Sequence, residues 1–392
     1  MNQAIQEQPG TKTTERPLYS PGLEGAIAGE SALCQVDEGE AGLRYRGYAI
    51  GDLAKWSRFE EVAYLLLIGH LPTRSELDSF STLLRGHRVL PDPVQRFIDS
   101  LQPGLHPMDV LRTGISLLGL SDPDAQDGSH EANLRKSMRL LSQIPLLIAH
   151  SYRVMSGILP PRQDESRDFA QHLLHLVAGH KDGETGTAMA QALNVSLILY
   201  AEHEFNASTF AARVTASTLT DLHGAVTAAV ATLKGPLHGG ANEAVASMLI
   251  EIGSPERAET WVREALAQKR RVMGFGHRVL RQGDARSAII QRHAERLSHL
   301  CGDHSWYDIA STLHRIMREE KGLHPNLDFY TAVAYLLMGI PRELSTPLFV
   351  CSRITGWCAH VMEQQEHNRS IRPRALYTGP APRTYEPLDR RP

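Results

Sequence analysis

The feature that most constrains this chain is a helical period that sets in after Asp52 and is broken repeatedly by Gly, Pro or Asp. Phe59, Val62, Ala63, Leu66 and Leu67 fall at i, i+3, i+4, i+7 spacing and so share one helix face, and Gly69 and Pro72 close the segment. The same pattern predicts helices over about 75–87, 93–101, 107–119, 131–157, 165–179 and 186–203, with breaks at Pro91-Asp-Pro93, Ser121-Asp-Pro-Asp124, Pro160-Pro161 and Lys181-Asp-Gly183. Further helices are predicted over about 208–233, 241–252, 255–269, 283–300, 305–320, 329–338 and 346–367. Few stretches alternate with period two, so a sheet-based core is not expected; only Gly-rich residues 22–50 suit short β-structure, such as a small hairpin. No repeat of fixed period argues for a solenoid. The predicted fold class is all-α.

At 392 residues the chain has room for one large or two to three ordinary domains. Its 42% hydrophobic and 22% charged residues are those of an ordinary globular protein, and a net charge of −3 with no basic run argues against a nucleic-acid or membrane-surface partner. Cys34, Cys301, Cys351 and Cys358 form no CxxC pair and no metal-ligand spacing, which suggests reduced thiols and a cytoplasmic compartment. Met1 to Pro17 is polar and lacks the apolar segment of a secretory signal; residues 1–21 are expected to be a disordered lead-in. The tail from Arg369, with Pro373, Pro380, Pro382 and Pro387, reads as an extended arm.

The residues able to do chemistry cluster at the helix breaks. Lys234-Gly-Pro-Leu-His-Gly-Gly-Ala-Asn242 combines a cation, a Gly and a Pro at a helix stop with a new apolar helix from Ala241. His238 lies just before that helix, whose positive end disfavours imidazolium and leaves a neutral donor able to stabilise an enolate; Gly239 and Gly240 would let another molecule approach the backbone. The alternative is a helix corner with an incidental His. Glu202-His203-Glu204-Phe-Asn206-Ala-Ser208 is either a capping sequence with His203 exposed or part of a site. Met273-Gly-Phe-Gly-His277-Arg278 is a short Gly loop without the strand, third Gly or Lys of the nucleotide-binding fingerprints. Asp328, in His324-Pro-Asn-Leu-Asp328-Phe-Tyr330, is either an N-cap or a carboxylate held at a helix start as a general base. Arg353 lies on a helix, capped by Ser345 or Thr346, that is apolar or small almost all round. It therefore needs an anionic partner, a structural carboxylate or a ligand. Together these groups suit proton abstraction beside a carbonyl, with arginines holding carboxylates, and do not suit a metal site.

Gly235-Pro-Leu-His-Gly-Gly-Ala-Asn242, Gly274-Phe-Gly-His-Arg-Val279 with Asp284 and Arg286, Pro325-Asn-Leu-Asp-Phe-Tyr330, and Arg353-x-x-Gly-Trp357-x-Ala-His360 resemble the citrate synthase family. Gly22 to Gly29, Tyr45-Arg-Gly-Tyr48, His106-Pro-Met-Asp109 and Arg372-Pro-Arg374 continue the match in order, to about Tyr377. The resemblance implies an all-helical homodimer, with a large domain from residues 22–238 and 334–392 and a small domain from 239–333. It implies oxaloacetate and an acyl-CoA as substrates, the coenzyme A thioester being consumed and no cofactor tightly bound. Asp328 would be the base, His238 the neutral donor to the enol, and His277 the partner of the oxaloacetate carbonyl. His203, Arg286 and Arg353 would complete the oxaloacetate site, with Arg372 supplied by the other subunit. Met273, Gly274, Phe275, Gly276 and Arg281 would contact CoA. Tyr200 to Ser208, Leu173-Leu-His-Leu176 and Tyr385 to Arg390 resemble the members that make 2-methylcitrate from propionyl-CoA, and Gly274 to Val279 the bacterial members that use acetyl-CoA. Ala285 departs from the Pro or Ser usual between the Asp and the Arg.

Overall fold

The computed structural model describes residues 19–36, 42–159, 166–179, 181–276 and 283–392. Helices dominate: α1 (Ile50–Trp56), α2 (Phe59–Ile68), α3 (Arg74–Gly86), α4 (Asp92–Asp99), α5 (Pro107–Ser121), α6 (His130–Met155), α7 (Phe169–Ala178) and α8 (Gly183–Tyr200) come first. They are followed by α9 (Ala207–Ala216), α10 (Leu222–Leu233), α11 (Ala241–Ile252), α12 (Pro255–Ala267), α13 (Ala285–Cys301), α14 (Ser305–Lys321), α15 (Leu327–Met338) and α16 (Ser345–Glu366). The β-structure expected in residues 22–50 is a three-stranded antiparallel sheet of β1 (Cys34–Val36), β2 (Leu43–Tyr45) and β3 (Tyr48–Ala49), with Cys34 opposite Tyr45. Residues 31–371 form one compact unit; residues 19–30 and 372–392 belong to a second, with short 3-10 turns at Pro21–Leu23 and Leu388–Arg390. No helix of the described residues is long and apolar enough to cross a membrane.

Within the larger unit α16 is the axial element. It packs against α2, α5, α6, α8, α9 and α10 and is buried on all faces, Trp357 and Arg353 being among the largest fully buried side chains. Its N-cap is Leu344, without a side-chain bond, so Ser345 and Thr346 do not cap it as expected; both lie inside the first turn, where Thr346 donates to the Gly239 carbonyl at 3.4 Å.

Three predicted helices are cut differently, the one over about 165–179 beginning only at Phe169, where Asp168 caps α7 through the Gln171 N–H at 2.8 Å. The stretch over about 208–233 is two helices, because Ser217 and Thr218 turn their hydroxyls back on Val214 and Thr215 carbonyls, Leu219 takes φ +64°, and Asp221 caps α10 through the Gly224 N–H at 2.9 Å. Polar side chains that bond the local backbone compete with helix propagation. The stretch over about 186–203 starts and stops three residues earlier, at Gly183 and Tyr200, since Glu204 takes φ +52° and Asn206 caps α9 through Thr209. That shift leaves residues 201–206 as a loop.

Candidate active site

The C-terminus of α8 gathers the site. The last four carbonyls of any α-helix have no partner within it. Here each of those of α8 takes a side-chain donor: Ser352 bonds Leu197, Tyr45 bonds Ile198 at 3.0 Å, Arg286 bonds Leu199 at 3.4 Å and Arg353 Nε bonds Tyr200 at 2.7 Å. Two arginines at the negative end of a helix dipole are favourably placed. Arg353 is 2% exposed, and among the described residues no carboxylate lies within ion-pair distance of it. Burial lowers its pKa, the charge of Glu202 compensates only in part, and Arg286 adds a smaller lowering. The structural carboxylate that a buried Arg353 called for is therefore not its direct partner. Arg286 is served differently: Asp284 grips it through Nε and Nη2, both at 2.9 Å, and holds its pKa above the ordinary value.

His238 meets this hub from the turn between α10 and α11. The Ser208 backbone N–H donates to His238 Nε2 at 3.2 Å, and the Ser208 hydroxyl, which accepts from Trp357 Nε1, lies 2.8 Å from the same nitrogen. An N–H can only donate, so Nε2 carries a lone pair and the proton of the neutral ring sits on Nδ1. Burial, and secondarily Arg353, lower the His238 pKa to about 4. A neutral imidazole is what the sequence led one to expect; the Nδ1–H tautomer comes from the Ser208 contact. Of the two adjacent glycines, one acts differently from expectation. A Cβ on Gly239 would stand 2.6 Å from the Leu233 carbonyl oxygen, so this glycine closes the turn onto α10, whereas a Cβ on Gly240 would meet only the Pro236 Cα, at 3.8 Å.

Asp328 lies in the first turn of α15 and does not cap it. The cap is Asn326, whose side chain accepts the Asp328 N–H at 3.1 Å, while the Leu327 N–H goes to Asp284 at 3.2 Å. The Asp328 carboxylate instead accepts from the Tyr200 hydroxyl at 2.6 Å, and burial raises its pKa. Asn326 also fastens residues 273–276 to α15: its N–H donates to Gly274 O at 2.9 Å and its Nδ2 to Gly276 O at 3.2 Å, with Gly276 N–H bonding His324 O at 3.0 Å. Gly274, at φ +82°, is tucked so closely that a Cβ would lie 2.7 Å from Val245 and 2.8 Å from Phe329.

His238, Asp328, Arg286 and Arg353 thus each touch residues 199–208, and His203 belongs to that stretch, half-buried rather than exposed. Met273 to Gly276 join through Asn326. Arg372 is exposed in the terminal unit. His277 and Arg281 lie outside the described residues. Sequence reasoning missed Tyr200, Asn242 and Trp357 as participants, and missed that Glu202 is buried and bonded by His360 at 2.8 Å. All of these belong to stretches singled out for other residues, but no local spacing marks an aromatic whose hydroxyl matters.

Residues 22–374 match the family model described as "Citrate synthase, C-terminal domain". A relative from Shewanella oneidensis named 2-methylcitrate synthase is 44% identical over 96% of this chain and 99% of its own length. Citrate synthase 2 of Bacillus subtilis is 42% identical over 94% and 98%. Among solved structures, the ternary complex of a Thermoplasma acidophilum citrate synthase with carboxymethyl coenzyme A and oxaloacetate has a TM-score of 0.86 at 34% identity, covering 95% of this chain and 100% of that one. With a family match across nearly the whole length, a fold shared with solved members, and the motif residues gathered at the end of α8, the chain belongs to the citrate synthase family of acyltransferases.

Proposed function

We propose that this chain carries out the citrate synthase-type condensation with propionyl-CoA as its preferred acyl donor, giving 2-methylcitrate and CoA. Asp328 takes the proton from the acyl α-carbon, and His238 Nδ1–H stabilises the enolate oxygen. The α-carbon then attacks the ketone carbon of oxaloacetate, His277 supplies the proton to the resulting alkoxide, and water cleaves the thioester. His203, Arg286 and Arg353 hold the dianion, joined by Arg372 of a second copy in a homodimer. Met273 to Gly276 and Arg281 contact CoA, which is a substrate and not a resident cofactor. The small domain, residues 239–333, closes on the large one, residues 22–238 and 334–392, to exclude water. The reaction is placed in the cytoplasm. The roles of His277, Arg281 and Arg372 rest on the family resemblance alone.

The observation that carries this reading is the buried Arg353, without a carboxylate in ion-pair reach among the described residues, beside a neutral His238. A buried cation lacking its counter-charge is costly unless an anion arrives. Support for the propionyl preference comes from the Shewanella relative and from the stretches at 173–176, 200–208 and 385–390. A thiol-reactive dye that reports CoA release, run with propionyl-CoA and with acetyl-CoA, tests it. One methylene is worth only about 1–3 kcal/mol in a pocket, so turnover of both with propionyl-CoA ahead in kcat/KM is expected. Acetyl-CoA ahead would make the chain a citrate synthase. Release from neither, with oxaloacetate still raising the Tm, would make it a binding protein. Asp328→Asn is expected to lower kcat by about 10²–10⁴-fold while oxaloacetate binding survives.

A further inference from the structure

We infer that Tyr200 is a positioning residue for Asp328, and that Asn242 sets the direction of its hydroxyl; the inference rests on the proposed role of Asp328 as the base. Tyr200 ends α8, is 3% exposed, and packs its ring on Phe349 with centroids 4.5 Å apart. Its hydroxyl has two neighbours of opposite sense. Asn242 Nδ2, at the start of α11, donates to it at 3.2 Å, and it stands 2.6 Å from Asp328 Oδ1. With the oxygen occupied by the Asn242 donor, the single hydroxyl proton points to the carboxylate. The mere need to satisfy a buried phenol would be met by either neighbour alone; the two together orient it. Three helices meet here, α8, α11 and α15, so the contact fixes the carboxylate in place as well as bonding it.

The electrostatics agree in sign. Burial favours protonated Asp328 and is the largest influence, with Asp284 acting in the same direction; the Tyr200 bond, Arg286 and Arg353 favour the carboxylate. Tyr335 on α15, which bonds Ser196, also faces Asp328, and the phenol of Tyr200 is itself held far from ionisation by burial. A donated bond therefore keeps the base ready at lower pH, at the cost of some basicity.

Tyr200→Phe removes the hydroxyl and retains the ring on Phe349. In kcat/KM for the acyl-CoA at saturating oxaloacetate, the acidic limb is expected to move up by about one pH unit or more. The KM for oxaloacetate should stay put, because Arg353 bonds the Tyr200 backbone carbonyl and not the phenol. Asn242→Ala, which leaves the phenol but frees its rotation, should shift the limb the same way by less, and serves if Tyr200→Phe is too slow to profile. An unmoved limb in the profiled variant, with Asp328→Asn inactive, overturns the positioning role alone. An Asp328→Asn enzyme that keeps parental activity and pH dependence overturns the base assignment, and this inference with it.

Discussion

Replacing Gly356 with Ala tests the geometry that builds the site. Gly356 lies in the middle of α16, where that helix crosses the end of α8. An added Cβ would stand 2.2 Å from Glu202 Oε2 and 2.4 Å from the Ala201 carbonyl oxygen. The carboxylate end is part of a side chain, but it is fully buried and held by His360, and the carbonyl is backbone. A shift of the α8 terminus alone is overpacking, worth about 1–3 kcal/mol. If Glu202 is also driven off His360, the broken buried pair adds about 3–5 kcal/mol. Unfolding entropy near 2.1 cal/mol/K per residue is about 0.8 kcal/mol/K for 392 residues, so the combined range of about 1–8 kcal/mol is a fall in Tm of roughly 1–10 °C. The same shift moves the Tyr200 carbonyl under Arg353, so the KM for oxaloacetate should rise with the loss of stability. Differential scanning fluorimetry and initial-rate kinetics on one preparation read both. Gly51→Ala is the control: nothing lies within 4 Å of its Cβ in α1, and the better helix former should stabilise slightly. A Gly356→Ala protein melting within about 1 °C of the parent, with unchanged oxaloacetate KM, would refute the reasoning.

Arg353→Met replaces a buried cation, without a carboxylate partner among the described residues, by a shorter apolar chain that also leaves the Tyr200 carbonyl without its donor, so the ligand-free protein should lose little stability while stabilisation by oxaloacetate disappears, both read by thermal shift. Asn326→Ala removes the cap of α15 and the side-chain tie to the Gly276 carbonyl, while the backbone bond to Gly274 remains; the expected result is a loss of about 1 kcal/mol in denaturant titration and a raised KM for the acyl-CoA with oxaloacetate binding unchanged. For His238, a folded-state pKa of about 4 against an ordinary 6.5 means that the unfolded chain takes up the proton first. Its contribution to stability is therefore whole above pH 6.5 and is lost as pH falls toward 4. His238→Asn should flatten the pH dependence of stability across that window, measured by urea unfolding at a series of pH values.

How far the sequence carries depends on what each residue's partners are. The period from Phe59 to Leu67 places α2 correctly because helix faces repeat within a few residues. The division at Ser217 to Asp221 was also written locally, in a cluster of Ser, Thr and Asp, but the apolar residues on either side outweigh it in a pattern reading. His238 as a neutral donor was legible from its place before a helix; that Ser208 fixes the tautomer was not, since the two are 30 residues apart and meet only when α9 folds back. Asp328 shows the same limit in reverse. Its sequence neighbours make it look like a cap, and only the packing of α8 against α15 reveals Tyr200 bonding the carboxylate while Asn326 does the capping.

The Ser208 N–H at His238 Nε2 has a consequence for how protons move through the proposed reaction. With that nitrogen occupied, the ring has one exchangeable position. It can lend its Nδ1 proton to an oxygen and recover it, but it cannot store a second one or pass a net proton along. The proton taken from the acyl carbon must then leave through Asp328 itself, and the enzyme is reset for the next turnover only when that carboxylate has discharged it.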